Sequence, residues 1–254
     1  MAWQLKDLID RTVRAEKLAV LGQFATGVAH EVRNPLATMK TTVQALTRKE
    51  QDVERKVLLD DMGHQIDRLS RVVNDLLAYG RPGEAAPQNT EIRDLFRQSA
   101  RVLEPIAKDA NVRFYTSGDS GLKLYIDPDQ VLQVLLNLGI NAIQACKAGG
   151  TVGLRAEQNE AWVEIRVTDD GAGIPKQHLL DVVQPFFTMK SKGTGLGLTI
   201  SQQLVEANHG KIHIESAPQE GTTITLKFPA TKTGTAQEED PEDVQEDQIT
   251  DRRR

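Results

Sequence analysis

The chain has 254 residues, of which 39% are hydrophobic, enough to bury a core in one large or two small domains, so global disorder is excluded. Its formal net charge of −5 at pH 7 argues against nucleic acid as the main partner. The single cysteine, Cys146, excludes an internal disulfide, and no apolar stretch in this chain approaches the ~18–20 residues that span a bilayer.

Residues 1–80 are predicted to form two helices, the first ending near Leu46, with a polar turn at 47–52 between them. Apolar residues recur along both helices in alternating steps of three and four, the spacing of a coiled-coil seam. They are Leu18, Leu21, Ala25, Val28, Val32, Leu36, Met39, Val43 and Leu46, then Leu59, Met62, Ile66, Leu69, Val73 and Leu76. Two antiparallel helices with one stripe each cannot enclose a core, so residues 18–80 predict a four-helix bundle in a homodimer. Residues 1–17 do not keep this phase and fit either a signal-transmitting coiled coil or a poorly ordered end.

His30 lies on the first helix at the position farthest from the apolar seam. With Val28 at position d and Val32 at position a of the heptad, His30 is at f and faces solvent. Glu31 follows at once as a proton acceptor, and such a pair can make a ring nitrogen nucleophilic at neutral pH. Pro35 removes a donor from the helix ladder, so we expect a bend one turn beyond the histidine. The alternative is a surface histidine near an incidental kink.

A linker is predicted at residues 81–89 and a mixed α/β domain at 90–230. The predicted elements are strands at 112–116 and 122–126, a helix at 127–147, a hairpin of 151–156 with 162–168, a helix at 196–208 and a hairpin of 211–216 with 222–228. Asp127 is the expected N-cap of the first helix, with Pro128 at N1, and Gly210 the expected left-handed cap of the second. Residues 231–254 nearly lack apolar side chains and are predicted to form a disordered acidic tail.

Two polar groups of this domain have the chemistry of a nucleotide site. Asp169 leaves a predicted strand, where a carboxylate can accept from the exocyclic amine of adenine, and Gly171 and Gly173 let backbone approach a base closely. Asn137 and Asn141 share one face of an otherwise apolar helix, where an amide oxygen suits Mg²⁺ with its waters and substrate phosphates. An ordinary polar turn and helix-tethering hydrogen bonds are the plainer alternatives.

A third group, Gly193, Gly195 and Gly197, opens a predicted helix, whose free N–H groups and positive end can hold phosphates. The G-x-G-x-G spacing is neither the dinucleotide fingerprint nor a P-loop. Lys190 and Lys192 lie just upstream and can neutralise phosphate charge, although they are equally ordinary as solvated loop lysines.

The run from Gly27 to Leu36 resembles the phosphoacceptor box of sensor histidine kinases of the HisKA type. Residues 127–145, 169–174, 185–190 and 193–198 resemble, in the family's order, its N box, first glycine box, F box and second glycine box. The resemblance implies an α+β architecture, in which a helical-hairpin dimerisation domain forms a four-helix bundle in the dimer. An α/β sandwich of the GHKL, or Bergerat, ATP-binding fold follows it. A short lid at 174–194 resembles that of the nitrogen-regulatory subgroup.

The resemblance implies an ATP-dependent protein histidine kinase. His30 would attack the γ-phosphate of ATP while Glu31 accepts its proton, and the phosphoryl group would pass to an aspartate of a separate response regulator. The position of Asn34 orients a hydrolytic water in the family, which implies phosphatase activity toward that regulator. The family roles carried over to the second domain are Mg²⁺ binding for Asn141, orientation for Asn137 and adenine recognition for Asp169.

Two other functions stay open on the sequence. A gyrase-like ATPase shares the fold, but it uses a glutamate base where this chain has Asn137. A non-catalytic dimeric scaffold would not need the intact His30–Glu31 pair or the glycine boxes. The short lid implies a receiver domain of the sigma-54 activator kind as the partner. Most members of the family are membrane sensors, but no apolar stretch in this chain is long enough to span a bilayer. We therefore expect a soluble kinase or the cytoplasmic part of a longer one.

Overall fold

The computed structural model describes residues 32–80, 83–118, 121–159, 161–190 and 193–230. Its first element is a helical hairpin of α1, described over residues 32–49, and α2 (Val53–Gly80). Glu50 accepts the backbone N–H groups of Gln51 and Asp52, and Asp52 in turn accepts that of Arg55 at 3.0 Å. The predicted polar turn is thus confirmed at 50–52, with Asp52 capping α2, whereas residues 47–49, which were predicted to belong to the turn, continue α1.

The hairpin buries only part of its apolar stripe. Leu36, Val43 and Ile66 form its small core, against which Val32, Leu59 and Val73 pack. Four other stripe residues stay about half exposed, namely Met39 (53%), Leu46 (51%), Met62 (54%) and Leu69 (53%). α1 runs without interruption through Pro35. The predicted bend depends on the carbonyl of Glu31, which lies outside the described residues.

The second domain combines one five-stranded sheet, one two-stranded sheet and three helices. In chain order they are β1 (Gln88–Glu91), α3 (Ile92–Asp109), β2 (Arg113–Gly118), β3 (Lys123–Ile126), α4 (Pro128–Ala145), β4 (Thr151–Gln158), β5 (Trp162–Asp169), a 3₁₀ turn (Lys176–His178), α5 (Gly197–Ala207), β6 (Lys211–Ala217) and β7 (Gly221–Pro229). The larger sheet has the order β2-β4-β5-β7-β6, and β1 pairs with β3. Only the β2–β4 pair is parallel among these strands.

The three helices cover one face of the five-stranded sheet. Inward residues alternate along the strands, as with Val163, Ile165 and Val167 of β5, each at most 3% exposed. They pack against the apolar faces of the helices in one continuous core. α4 begins where predicted, because Asp127 accepts the N–H groups of Asp129 and Gln130, and Pro128 occupies the first turn. This cap fixes the helix that carries the candidate site.

Most of these elements match the prediction from the sequence, and three of them, β1, α3 and the 3₁₀ turn, were not predicted. Both hairpins, β4–β5 and β6–β7, and both later helices are confirmed. α3 was not predicted, nor was β1, which begins two residues inside the expected linker. The prediction for Gly210 was wrong, since the left-handed residue is His209, with φ of 57°. Gly210 has a steric role instead, because a Cβ there would lie 2.8 Å from the Phe228 ring.

Cys146 closes α4 as a half-buried residue. Its sulfur lies 3.8 Å from the carbonyl oxygen of Thr151 and 3.5 Å from the carboxylate of Asp170. Burial and the neighbouring carboxylates raise the pKa of the thiol to about 11. The side chain is therefore a packing residue with little thiolate character.

Several predictions fall outside the described residues. They concern the lead-in at 1–17, the pair His30 and Glu31, Lys192 and the acidic tail at 231–254. Among the residues that are described, no helix combines the length and the hydropathy needed to cross a membrane.

Candidate functional site

One face of α4 carries the polar side chains of the candidate site. The Asn137 amide nitrogen donates to Ser201 Oγ of α5 at 2.8 Å, which ties the two helices together. Its amide oxygen faces the amide nitrogen of Asn141 one turn later, at 3.4 Å. Gly197 opens α5 against the same side chain, because a Cβ there would come within 2.6 Å of Asn137 Oδ1. Both ends of the Asn137 amide thus contact side chains of α4 and α5, whereas the amide oxygen of Asn141 takes no part in these contacts.

Asp169 is the last residue of β5, the middle strand of the larger sheet, and it is buried. Its Oδ1 accepts the Gly171 N–H at 2.9 Å. Burial raises the pKa of Asp169, while hydrogen bonds from the Gly171 and Thr222 backbones pull it down. Gly173 follows in the left-handed region, with φ of 67° and its backbone against that of Ala217, where no side chain fits. A fixed acceptor therefore sits beside tightly folded backbone.

The segment between this turn and α5 forms a lid. The lid begins after the 3₁₀ turn. Near its end, the Phe186 N–H donates to the Gly195 carbonyl at 2.9 Å, which joins the lid to the residues just before α5. Gly195 has a φ of 69° and lies against the Phe186 backbone. α5 then begins at Gly197 without a side-chain cap. Its first N–H groups are consequently available to an anion, as the glycine spacing predicted.

Lys190 connects the lid to α4. Its Nζ donates to Asn141 Oδ1 at 2.6 Å and to Gln144 Oε1 at 2.8 Å. Burial lowers the pKa of the ammonium group, and the charge of Asp169 partly opposes that effect. Gln144 was missed in the sequence analysis, although its position one turn after Asn141 on the same face was a usable signal.

A second contact joins the lid to the helical hairpin. Thr194 Oγ1 donates to Asp75 Oδ2 of α2 at 2.9 Å, and the rings of Tyr79 and Phe186 meet edge to face at 6.4 Å between centroids. Burial raises the pKa of Asp75 more than the Thr194 hydroxyl and the charge of Arg71 lower it. Nothing in the sequence distinguished Asp75 from the other polar residues of α2.

The structure brings together most of the residues that the sequence selected. Asn137, Asn141, Lys190 and the glycines at 193, 195 and 197 surround the gap between α4 and the start of α5, and Asp169 with Gly171 and Gly173 lies at the adjoining end of β5. Asn34 is separate from them, exposed on α1. The arrangement offers a fixed acceptor for a base, N–H groups for phosphates and an amide oxygen already facing a cation.

Two family models match the chain. Residues 20–85 match the His Kinase A (phospho-acceptor) domain, and residues 126–232 match the family of histidine kinase-, DNA gyrase B- and HSP90-like ATPases. The stretch between the two matches, 86–125, contains β1, α3, β2 and all but the last residue of β3. The second match contains the polar face of α4, Asp169 and the described glycines of the candidate site.

Curated relatives resemble the chain over most of its length. The sensor histidine kinase ZraS of Escherichia coli K12 is 39% identical over 87% of this chain and 48% of its own length. The histidine-protein kinase AtoS of the same strain is 35% identical over 90% of this chain and 38% of its own. The chain therefore spans about half the length, or less, of these relatives.

Solved structures of histidine kinases are similar in fold to most of this chain. The histidine kinase ThkA in complex with the response regulator protein TrrA aligns with a TM-score of 0.64 and 26% identity over 90% of this chain and 67% of that one. Full-length ShkA with AMPPNP aligns with a TM-score of 0.72 over 82% of this chain and 46% of its own, at 24% identity. The second likeness concerns the fold alone.

Proposed function

The chain belongs to the sensor histidine kinases of the HisKA type, and from that premise we propose that it phosphorylates His30 from ATP and passes the phosphoryl group to an aspartate of a separate response regulator. The observation that carries the proposal is the convergence of Asn141, Lys190 and the uncapped start of α5 in one gap beside Asp169. These groups supply an acceptor for a base, an oxygen for a cation and free N–H groups for phosphates, which are the three kinds of contact that a nucleoside triphosphate needs.

The site fits Mg²⁺ together with ATP. Asn141 Oδ1 already accepts a positively charged group, so its lone pairs are turned toward a cation. No cluster of three or more His, Cys, Asp or Glu residues in the described ranges is arranged to hold a metal by itself. A metal at Asn141 would therefore share its other positions between nucleotide phosphates and waters, as Mg²⁺ does in many nucleotide sites. When bound, it would neutralise charge on the phosphates.

The proposed reaction divides the work between the two domains. Asp169 holds the adenine, and the N-terminal N–H groups of α5 hold the phosphates. The nucleophilic ring nitrogen of His30 forms a bond to the γ-phosphorus as the bond to the bridging oxygen breaks, and ADP leaves. Glu31 accepts the ring proton. Catalysis then consists mainly of positioning and charge neutralisation.

A labelling experiment tests this assignment against its rivals. Incubation with γ-labelled ATP should give label on the protein that is labile in acid and stable in base. His30→Gln should abolish it and leave ATP affinity almost unchanged, because the nucleotide binds the other domain. His64→Gln is the matched control, since His64 is an exposed histidine of the same hairpin. Phosphate release without label would favour an ATPase, and neither product would favour a scaffold.

Asn141→Ala tests the metal assignment separately. Calorimetry should show that Mg²⁺-dependent ATP binding is lost while the fold is kept. Normal Mg²⁺-dependent binding in this variant would show that another residue holds the metal.

We also propose a homodimer, which the half-exposed stripe of the hairpin supports. Met39, Leu46, Met62 and Leu69 are apolar, more than half exposed, and spaced as a seam. A second hairpin would cover them and complete a four-helix bundle. Light scattering at micromolar concentration should give the mass of a dimer, and a monomer would contradict the bundle.

The partner we propose is a receiver domain that docks on the bundle around His30. The solved ThkA–TrrA complex supports this type of partner. The short lid with Pro185 to Thr188 favours a regulator of the sigma-54 activator kind. Asn34 is exposed on α1 and lies four residues after His30 in the sequence, which supports a role in orienting a water for phosphatase activity toward the regulator. We place these reactions in the cytoplasm, where ATP is available.

A further inference from the structure

The ammonium group of Lys190 lies between two neutral amide oxygens rather than beside a carboxylate. Asn141 Oδ1 and Gln144 Oε1 lie 2.6 and 2.8 Å from it. Asn141 and Gln144 are separated by one turn of α4, so both oxygens point from one helix face toward one positive charge. Two convergent oxygens around a single cation define a cation position, and here a side chain of the lid fills it.

We propose that the Lys190 ammonium holds the cation position of the site until nucleotide binds, and that a divalent cation arriving with ATP displaces it from Asn141 and Gln144. The inference rests on the proposed function, because it takes the Asn141 oxygen as the metal ligand. Gln144 becomes a second oxygen of that position, and Lys190 becomes a positioning residue that links the lid to the metal.

The two cations exclude each other on electrostatic grounds. Asn141 and Gln144 carry no charge, so they cannot offset the repulsion between an ammonium and a divalent ion a few ångströms apart. Asp169 acts on Lys190 through its charge, and the negative phosphates of ATP arrive with the metal, but the two cations cannot share the same two amide oxygens. The ammonium therefore has to leave when the metal enters.

The departure of the ammonium also affects the chain just before the glycines at 193, 195 and 197, where we propose that phosphate binds. The Lys190 N–H donates to Thr188 Oγ1 at 3.1 Å, and the Lys190 carbonyl accepts the Gly193 N–H at 3.2 Å. Lys190 is thus one member of a tight turn that leads into the glycines before α5. A displaced side chain remains tethered close to those glycines, where it can reach the phosphates of the incoming nucleotide.

Amide hydrogen exchange in the nucleotide-free chain tests whether the contacts of Lys190 with Asn141 and Gln144 hold the lid against α4. Lys190→Met should speed exchange at 186–195 about tenfold, the size expected from losing charge-assisted hydrogen bonds. Gln144→Leu should speed it in the wild-type background but add nothing in Lys190→Met, since the two groups act as one pair. Lys176→Met is the matched control, because it removes an exposed lysine from the 3₁₀ turn that precedes the lid. Equal exchange in the wild type and Lys190→Met would overturn the proposal.

Mn²⁺ binding to the nucleotide-free chain, followed by electron paramagnetic resonance, tests the displacement. The Kd for Mn²⁺ should fall about tenfold in Lys190→Met, because the competing charge is gone. Adding Asn141→Ala should abolish this gain. An unchanged Kd in Lys190→Met, or a gain that survives Asn141→Ala, would overturn the proposal. Failure of the proposed function would look different, since wild-type protein would then show no Mg²⁺-dependent binding of AMPPNP in calorimetry.

Discussion

The two halves of the molecule solve the problem of enclosing a core in different ways. The second domain surrounds its own core, with α3, α4 and α5 against one sheet face and residues such as Leu95, Leu103 and Phe228 fully buried. Within residues 32–80, the hairpin buries only Leu36, Val43 and Ile66 and leaves more of its stripe in water. The second domain therefore encloses its own core, whereas the described part of the hairpin leaves an apolar surface that the proposed dimer would cover.

The largest effect should come from opening the core of the second domain. Leu103 is fully buried and packs against Gly139 of α4, so Leu103→Ala should lower the free energy of unfolding of this domain by about 2–5 kcal/mol. Denaturant unfolding followed by Trp162 fluorescence measures it. The adjacent Val102 is 44% exposed, and Val102→Ala should cost less than about 1 kcal/mol. Equal losses would mean that α3 is not part of a closed core.

A charge on the exposed stripe should act on assembly instead. Met62→Asp should raise the dimer dissociation constant at least about 100-fold, near 2.8 kcal/mol, because a carboxylate would be buried between hairpins. Sedimentation equilibrium gives the constant. Gln65→Asp places the same charge on an exposed polar position of α2 and should change it little. A dimer that tolerates Met62→Asp would place the interface elsewhere.

The buried carboxylate of Asp169 makes the stability of the second domain depend on pH. Its pKa is raised in the folded chain, so its contribution to stability is present below its ordinary pKa of 3.8 and is lost as the pH rises through the folded pKa. At pH 7 Asp169→Asn should therefore raise the free energy of unfolding of the nucleotide-free chain, and it should weaken adenine binding.

Asp170 is the matched control for this prediction, with the opposite sign. A hydrogen bond from the Thr151 backbone lowers the pKa of Asp170, so Asp170→Asn should lose stability at pH 7 and not in acid. Thermal melts between pH 3 and pH 7 distinguish the two variants. A loss of stability for both would show that the Asp169 charge is fully compensated by its hydrogen bonds.

The smallest effect should come from the contact between the regions. Thr194→Val removes the donor to Asp75 and should weaken the attachment of the lid to α2 by about 0.5 kcal/mol. Hydrogen exchange at the last turn of α2 should then become about twofold faster. Asp75→Asn keeps an acceptor oxygen and should leave the rate nearly unchanged. A large change in Asp75→Asn would indicate that the charge, and not the hydrogen bond, holds the contact.

The elements that the sequence predicted are those with local signals. Alternating side chains predicted β4 with β5 and β6 with β7, and the Asp127–Pro128 start predicted α4. α3 escaped because Pro105 lies inside it, a residue that more often ends a helix than occupies one.

The site divides in the same way. Four-residue spacing was enough to place Asn137 and Asn141 on one face, because that geometry belongs to a single helix. The Lys190–Gln144 and Thr194–Asp75 contacts span 46 and 119 residues. Such pairs depend on how the lid, α4 and α2 pack in space, and no local pattern carries that information.

The chemistry of Cys146 has a practical consequence for following the lid. With a pKa of about 11, only about one thiol in ten thousand is ionised at pH 7, so the native cysteine is nearly inert to alkylating reagents. Leu180, in the lid, is 82% exposed. A cysteine introduced at that position would have an ordinary pKa and react first. The wild-type background thus permits a spectroscopic reporter on the lid without removal of the native thiol.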